Sequence, residues 1–386
     1  MAELPPTSRI PVARPFFGPE EELAVAEVLR TGWVTQGPQV IAFEKEFAEF
    51  VGSPYACAVS SCTAALHIAL LALGVGQGDE VITASHSFIA TANAIRYSGA
   101  TPVFVDIDPS TFNLTGLLIE AAITSRTRAI LCVHQLGMPC DLEAIAGIAR
   151  KRGIGLIEDA ACAIGSEVRS RRGWERIGRP WGDIACFSFH PRKLVTTGDG
   201  GMLTTRNPEF DHRFRALRQH GMSTSDLKRH ESAKVAVETY DTVGYNYRMT
   251  DIQAAVGRAQ LRRLPAILEE RRAQAGWYRE LFVETPVILP TEPEWARSNW
   301  QSFCVRLPEG VSQVSVMQSL LDAGISTRRG VMCAHREPAY LDTELRFPLP
   351  ESERAQDQGL ILPLFPGLTR RQISSVVDAV LKACRP

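Results

Sequence analysis

The sequence predicts an α/β protein with a large domain, built on a mostly parallel mixed sheet covered by helices, and a smaller C-terminal α+β domain. Three observations carry this reading. Between residues 63 and 158, apolar strand-like segments alternate with segments of helical period. Segments such as AILCV and GLIE are apolar throughout, as strands buried on both faces are. A long charged helical stretch after residue 250 then separates this series from a differently patterned C-terminal part. With 386 residues, 45% of them hydrophobic and 22% charged, the chain has enough material for two domains and a full core.

Helical patterns over 19–29 and 38–50 open the chain, the second stopped by Gly52. A helix at 63–73, a strand at 80–84, a helix at 89–97 and a strand at 102–105 follow. The series continues with a strand at 129–134, a helix at 141–152 and a strand at 155–158. An aromatic-rich strand at 184–189 and another at 202–205 flank a polar loop and a turn rich in glycine (Gly198, Gly200, Gly201). The helix starting at Asp251 is expected to break at Pro265, because proline lacks the N–H that the helix needs. The domains are therefore drawn as 1–265, which includes an N-terminal arm, and 266–386. The second holds a strand at 301–307 and helices at 314–323 and 369–383. The glycines of LGVGQGDEV follow a helix and precede a strand, the reverse of a dinucleotide fingerprint, and read as a helix stop plus a turn.

Composition removes several function classes. A net charge of −1 without long charged runs argues against nucleic acid or a membrane surface as partner. The most apolar stretch, 64–75, is too short to span a bilayer and contains His67. The start, MAELPPTSR, lacks the basic and apolar regions of an export signal. Nine scattered cysteines show neither C-x-x-C nor ligand-like histidine spacing, so reduced thiols and a cytoplasmic location are expected, with no metal site.

The chemistry centres on Lys193, in CFSFHPRKLVTTGDGGM at the mouth of the hairpin formed by 184–189 and 202–205. Partial desolvation there lowers an amine pKa and favours Schiff-base formation. Asp159 ends a buried-looking strand in GIGLIEDAACAIG, at the carboxyl edge where such sheets bind ligands. It is suited to pair with the pyridinium nitrogen of pyridoxal phosphate (PLP). Ser61, Cys62 and Thr63 start a helix, where exposed N–H groups suit a phosphate and equally suit an ordinary helix cap. Ser188 lies just before Lys193, and Phe88 can stack on a flat ring or pack in the core.

Seven ordered blocks extend the pattern over nearly the whole chain. They are GWVTQGPQVIAFEKEFAEFVG, SSCTAALHIALLALGVGQGDEVITASHSFIATANAI, PVFVDID, IEDAACAIGS, FSFHPRKLVTTGDGGM, GYNYRMTDIQAAVGRAQL and GISTRRGVMCAHREPAY. Together they resemble the DegT/DnrJ/EryC1/StrS family of PLP-dependent sugar aminotransferases, within the fold-type I (aspartate aminotransferase) superfamily. The resemblance implies Lys193 as the Schiff-base lysine, Asp159 as the partner of the ring nitrogen and Phe88 as the stacked aromatic. It implies Cys62, Thr63 and Ser188 as the phosphate cradle. Asn246 would reach the cofactor phosphate of a neighbouring subunit, making a homodimer with shared sites. Trp33, Lys228, Arg229 and His335 fall where the family meets its sugar nucleotide.

Two positions depart from the pattern. Cys162 stands where the family usually has Gln or His near the cofactor's phenolic oxygen. Arg192 precedes the lysine where small polar residues are commoner, and can either depress the lysine pKa or contact a substrate phosphate. The implied reaction is ping-pong transamination from an amino acid, glutamate, to a nucleotide-linked keto-sugar, as in amino-sugar biosynthesis. Three alternatives are transamination of a ketocyclitol or other non-nucleotide ketone, a PLP-dependent sugar dehydratase, and a PLP-binding regulator without turnover. Lys193 speaks against the dehydratase, which has histidine there, and the Lys193/Asp159 pair speaks against the regulator.

Overall fold

A computed structural model describes residues 9–224, 229–230, 235 and 237–385. Helices α1 (Pro19–Thr31) and α2 (Pro38–Val51) precede strand β1 (Tyr55–Val59), and α3 (Cys62–Ala72) leads into β2 (Glu80–Ala84). Helix α4 (Ile89–Tyr97), β3 (Thr101–Val105), α5 (Gly116–Ala122), β4 (Thr127–Val133), α6 (Leu142–Arg152) and β5 (Gly155–Asp159) continue the alternation. A small hairpin, β6 (Glu167–Ser170) and β7 (Gly173–Arg176), precedes β8 (Ile184–Ser188), β9 (Gly201–Thr205) and α7 (Pro208–Arg218).

The main sheet has the order β1-β9-β8-β5-β4-β2-β3. The steps from β3 to β8 are all parallel, whereas β9 runs antiparallel to both β8 and β1. Six strands therefore point one way, and the turns after β1, β2, β4, β5 and β8 open on one edge. The start of β9 reaches the same edge. Every residue of β2 and β9 is buried, as central strands covered on both faces require.

A buried charge cluster fixes β1 and, through it, the start of α3. Glu44 of α2 accepts from the amide of Ala58 in β1 (2.9 Å) and pairs with Arg218 and Arg215 at the end of α7. Arg218 also donates to the Ala58 carbonyl, at 2.7 Å. Burial alone would raise the Glu44 pKa, but the two guanidiniums outweigh it and hold the carboxyl below its ordinary range.

Helix α8 (Asp251–Leu281) runs without a break through Pro265, contrary to the expected interruption. The reason is packing. Leu261, Leu264, Ile267 and Leu268 are buried on either side of the proline, and this burial outweighs a proline penalty of about 3 kcal/mol. A short strand, β10 (Ala296–Arg297), pairs with β6. Beyond it lie β11 (Phe303–Arg306), α9 (Gln313–Asp322), β12 (Arg328–Arg329), α10 (Pro350–Gln358), β13 (Gly359–Leu362) and α11 (Arg370–Ala383). Strands β11, β13 and β12 form a second, antiparallel sheet. Its core contains Tyr278, Phe303, Leu320 and Val376. The N-terminal segment docks here as well: Ile10 bridges Ile325, and Leu364 donates to the Val12 carbonyl at 3.1 Å. No helix among the described residues is long and apolar enough to cross a membrane.

Glu44→Gln is expected to lower stability by about 3 kcal/mol, because Arg218 is left buried without its counter-charge. The folded-state pKa of Glu44 lies below its ordinary value of 4.5. Its contribution is therefore complete above that value and is lost as pH falls through the folded-state pKa. Denaturant melts of both proteins between pH 7 and 3 check this: the gap should close toward acid.

Candidate active site

The strand ends and the second sheet enclose a cavity of about 420 Å³. Lys193, Asp159, Cys62, Thr63, Phe88, Cys162, Ser188 and Arg192 all lie on its wall, although they come from four segments of the chain. A larger open groove of about 1340 Å³, between α2, β1 and α7, contains none of them.

Asp159 is the last residue of β5 and only 5% exposed. Its Oδ2 accepts from the Thr91 hydroxyl at 2.8 Å and its Oδ1 from the Ala161 amide at 3.1 Å. Burial raises its pKa despite these donors and the nearby charge of Lys193. A buried carboxylate raised in this way, on a cavity wall, is completed by a cationic N–H. A pyridinium nitrogen supplies one, so the site fits PLP on this account.

The start of helix α3 opens on the same cavity. Ser61 caps it, its hydroxyl accepting from the Ala64 amide at 3.1 Å, while its carbonyl takes the Ala65 amide. The amides of Cys62 and Thr63 have no acceptor among the described residues, and the helix dipole adds to their pull on an anion. The Cys62 thiol is buried and its pKa is pushed well up, first by burial and then by Asp159. Cys62 therefore stays a neutral thiol and puts no negative charge beside these amides. The start of β9 presses against this turn: a Cβ on Gly201 would sit 2.5 Å from the Ser61 carbonyl group.

Lys193 Nζ lies 2.9 Å from Cys162 Sγ. The departure from the usual Gln or His thus meets the lysine amine directly. Cys162 is itself held in place, because Asn299 Nδ2 donates to its carbonyl at 2.8 Å. Phe88 is the residue before α4, and its 62% exposed ring leaves a face that a flat ring can cover. Ser188 Oγ accepts weakly from the His190 amide at 3.4 Å. The Arg192 carbonyl is fixed by Gln301 Nε2 at 2.6 Å.

Other expected contacts are not on this wall. His335 was expected to meet substrate. It is instead 8% exposed, with Nδ1 at 2.6 Å from Ser85 Oγ and Nε2 at 3.1 Å from Glu353. With both ring nitrogens engaged, it ties the turn after β2 to α10 and has no free polar atom for a ligand. Trp33 donates its indole N–H to the Gln36 carbonyl at 3.1 Å and stands edge-on to His230. Arg229 pairs with Glu238 at 2.8 Å. Asn246 is exposed, and its Oδ1 lies 3.3 Å from Arg248 Nε. Lys228 lies outside the described residues. Sequence reading missed Thr91, Asn299 and Gln301, and also Arg328 and Arg329, which line the cavity from the second sheet. The RRG of GISTRRGVMCAHREPAY was the available signal for the arginines.

A lysine and a buried carboxylate on one cavity, at the carboxyl edge of a seven-stranded sheet with one reversed strand, define a fold-type I PLP enzyme. Residues 16–381 match the DegT/DnrJ/EryC1/StrS aminotransferase family, and the chain belongs to it. It is a PLP-dependent aminotransferase of this sugar aminotransferase family. The structure resembles the aminotransferase TlmJ from Streptoalloteichus hindustanus, with 35% identity over 97% of this chain and 98% of that one, at a TM-score of 0.87. It also resembles DesV from S. venezuelae, with 35% identity over 98% and 99% and a TM-score of 0.88. Spr1654 from Streptococcus pneumoniae, whose structure in the PMP form covers 97% of this chain and 99% of its own, is 28% identical at a TM-score of 0.90. Spr1654 is also known in a PLP form.

Transamination needs no nucleophilic thiol, so Cys162→Ala is expected to keep turnover within about tenfold, a loss of ~1.4 kcal/mol at most. Stopped-flow measurement of the amino-donor half-reaction checks this. Loss of all activity with cofactor still bound would give the thiol a chemical role.

Proposed function

We propose that the protein moves an amino group from glutamate to the keto group of a nucleotide-linked sugar, by ping-pong transamination at sites shared within a homodimer. The observation that carries the substrate class is the set of guanidiniums on the wall that also holds Lys193. Arg192, Arg328 and Arg329 suit the carboxylates and phosphates of such substrates. The 420 Å³ of space is of the size that small-molecule sites use.

When bound, PLP supplies the electron sink for the transfer. In this reading Lys193 anchors the cofactor and, once released, carries the proton removed from the donor's α-carbon. Asp159 holds a proton on the ring nitrogen. The amides opening α3, with Thr63 and Ser188, bind the phosphate, and Phe88 covers the ring. Exposed apolar side chains such as Ile41 and Val243, which border the large groove, support a second subunit. The exposed position of Asn246, away from its own chain's cavity, supports its reaching the partner's site. The separate core around Tyr278, Phe303 and Val376 supports the division into 1–265 and 266–386. Cysteines that are all free suit a cytoplasmic location.

Glutamate is expected to convert the bound PLP spectrum to that of the pyridoxamine form, and a nucleotide keto-sugar to restore it. Asp159→Asn should slow this half-reaction on the order of 10³-fold, the usual size of a lost charged partner. Restoration by a ketocyclitol but by no nucleotide sugar would move the substrate to the non-nucleotide class.

Shared sites have a separate test. Asn246→Asp sets a carboxylate against the cofactor phosphate, and Lys193→Ala removes the amine, so each variant alone is expected to be inactive. Refolded together, about half the dimers are hybrids with one intact site, and activity should return to roughly a quarter of wild type. A silent mixture, with hybrids confirmed by mass spectrometry, would place Asn246 within its own subunit.

A further inference from the structure

Behind Asp159 stands a chain of two hydroxyls that the reaction itself does not call for. Thr91 Oγ1 lies 2.8 Å from Asp159 Oδ2, and Ser87 Oγ lies 2.8 Å from Thr91 Oγ1. All three are buried: Ser87 is 3% exposed, Thr91 1% and Asp159 5%. An ionised carboxylate can only accept, so the Thr91 proton points to Asp159, and the Ser87 proton must then point to Thr91. The chain has one direction, and it ends on the carboxylate.

We infer that Thr91 is a positioning residue for Asp159, holding the carboxylate ionised and in one orientation, with Ser87 fixing the Thr91 hydroxyl. This rests on the proposed pairing of Asp159 with the ring nitrogen. The physical need is plain, because burial works against the charge and few donors oppose it. Among the described residues Thr91 is the one side-chain hydroxyl on the carboxylate, and the Ala161 amide takes the other oxygen. Together they use one lone pair on each oxygen and leave the outer pairs for the cofactor. The ionisable groups around Asp159 include Lys193 after β8, His134 after β4, Cys132 on β4, Cys62 on α3 and Cys186 on β8. Among the described residues neither the Cys62 nor the Cys186 thiol hydrogen-bonds to the carboxylate, and burial keeps both neutral, so neither adds a competing charge. Phe88 and Thr91 also share the start of α4, so one helix end places both the ring cover and the carboxylate.

The test loads the full-length enzyme with PLP labelled with ¹⁵N at the ring nitrogen, whose chemical shift reports protonation. Thr91→Val keeps shape and removes the hydroxyl. Its ¹⁵N signal should move toward the unprotonated position, and the half-reaction rate should fall about 10- to 100-fold with donor KM little changed. Thr91→Ser, which restores the hydroxyl, should recover both. A Val variant with the wild-type signal and rate overturns the inference, provided that Asp159→Asn loses the signal in the same experiment. If Asp159→Asn also keeps it, the pairing of Asp159 with the ring nitrogen is what fails. Should the Val variant not fold, Ser87→Ala decides: a smaller shift in the same direction supports the chain, and an unchanged signal overturns it.

Discussion

One constraint organises this molecule: a carboxylate must be buried at the end of a central strand and still remain a charge. Asp159 is inside because β5 is inside, flanked by β4 and β8 and covered by helices. Low-dielectric surroundings strengthen its pull on any cation that reaches the cavity, and they make its ionised form costly when none is there. The neighbouring features answer to that tension. Hydroxyl and amide donors stand on two sides of it, and a lysine and the start of a helix share its cavity.

The opposite end of the cavity depends on a steric constraint. Strand β9 runs against its neighbours, and its first residue touches the main chain at the start of α3. Only glycine permits that approach, and the contact brings the turn after Phe189 and the amides of Cys62 and Thr63 into one wall. The Glu44–Arg218 pair fixes β1 from behind, so the position of α3 is determined from both sides.

Much of this is legible in the sequence, for identifiable reasons. Strand–helix alternation reports local burial, so the parallel strands and their order of connection could be read from residue pattern. That Lys193 and Asp159 share a cavity is foreshadowed because each sits beside a strand with a strong apolar signature. The limits are equally specific. Pro265 marks a helix break in isolation and not where Leu261, Leu264, Ile267 and Leu268 pack around it. His335 is polar and lies in a loop-like block, yet its ring is spent on Ser85, 250 positions away, and on Glu353, 18 positions away. Thr91 sits in an ordinary-looking helix start. Nothing local distinguishes a hydroxyl that caps a turn from one that serves a carboxylate 68 positions away.

The cavity is walled by the two extremities of the chain. Val12 and Ala13 line it from the beginning of the sequence, and Ile361, Leu362 and Leu364 from near its end. Residue 10 docks on residue 325 and residue 12 on residue 364. During synthesis, the main sheet can pair while the ribosome is still reading the second half of the message, since its strands all lie before residue 206. The N-terminal segment, though made earlier, completes its docking only when residues 324–326 and then residue 364 have left the exit tunnel. The nascent protein therefore acquires its lysine and carboxylate early and its closed pocket last, so a cofactor captured before release would meet a half-open site.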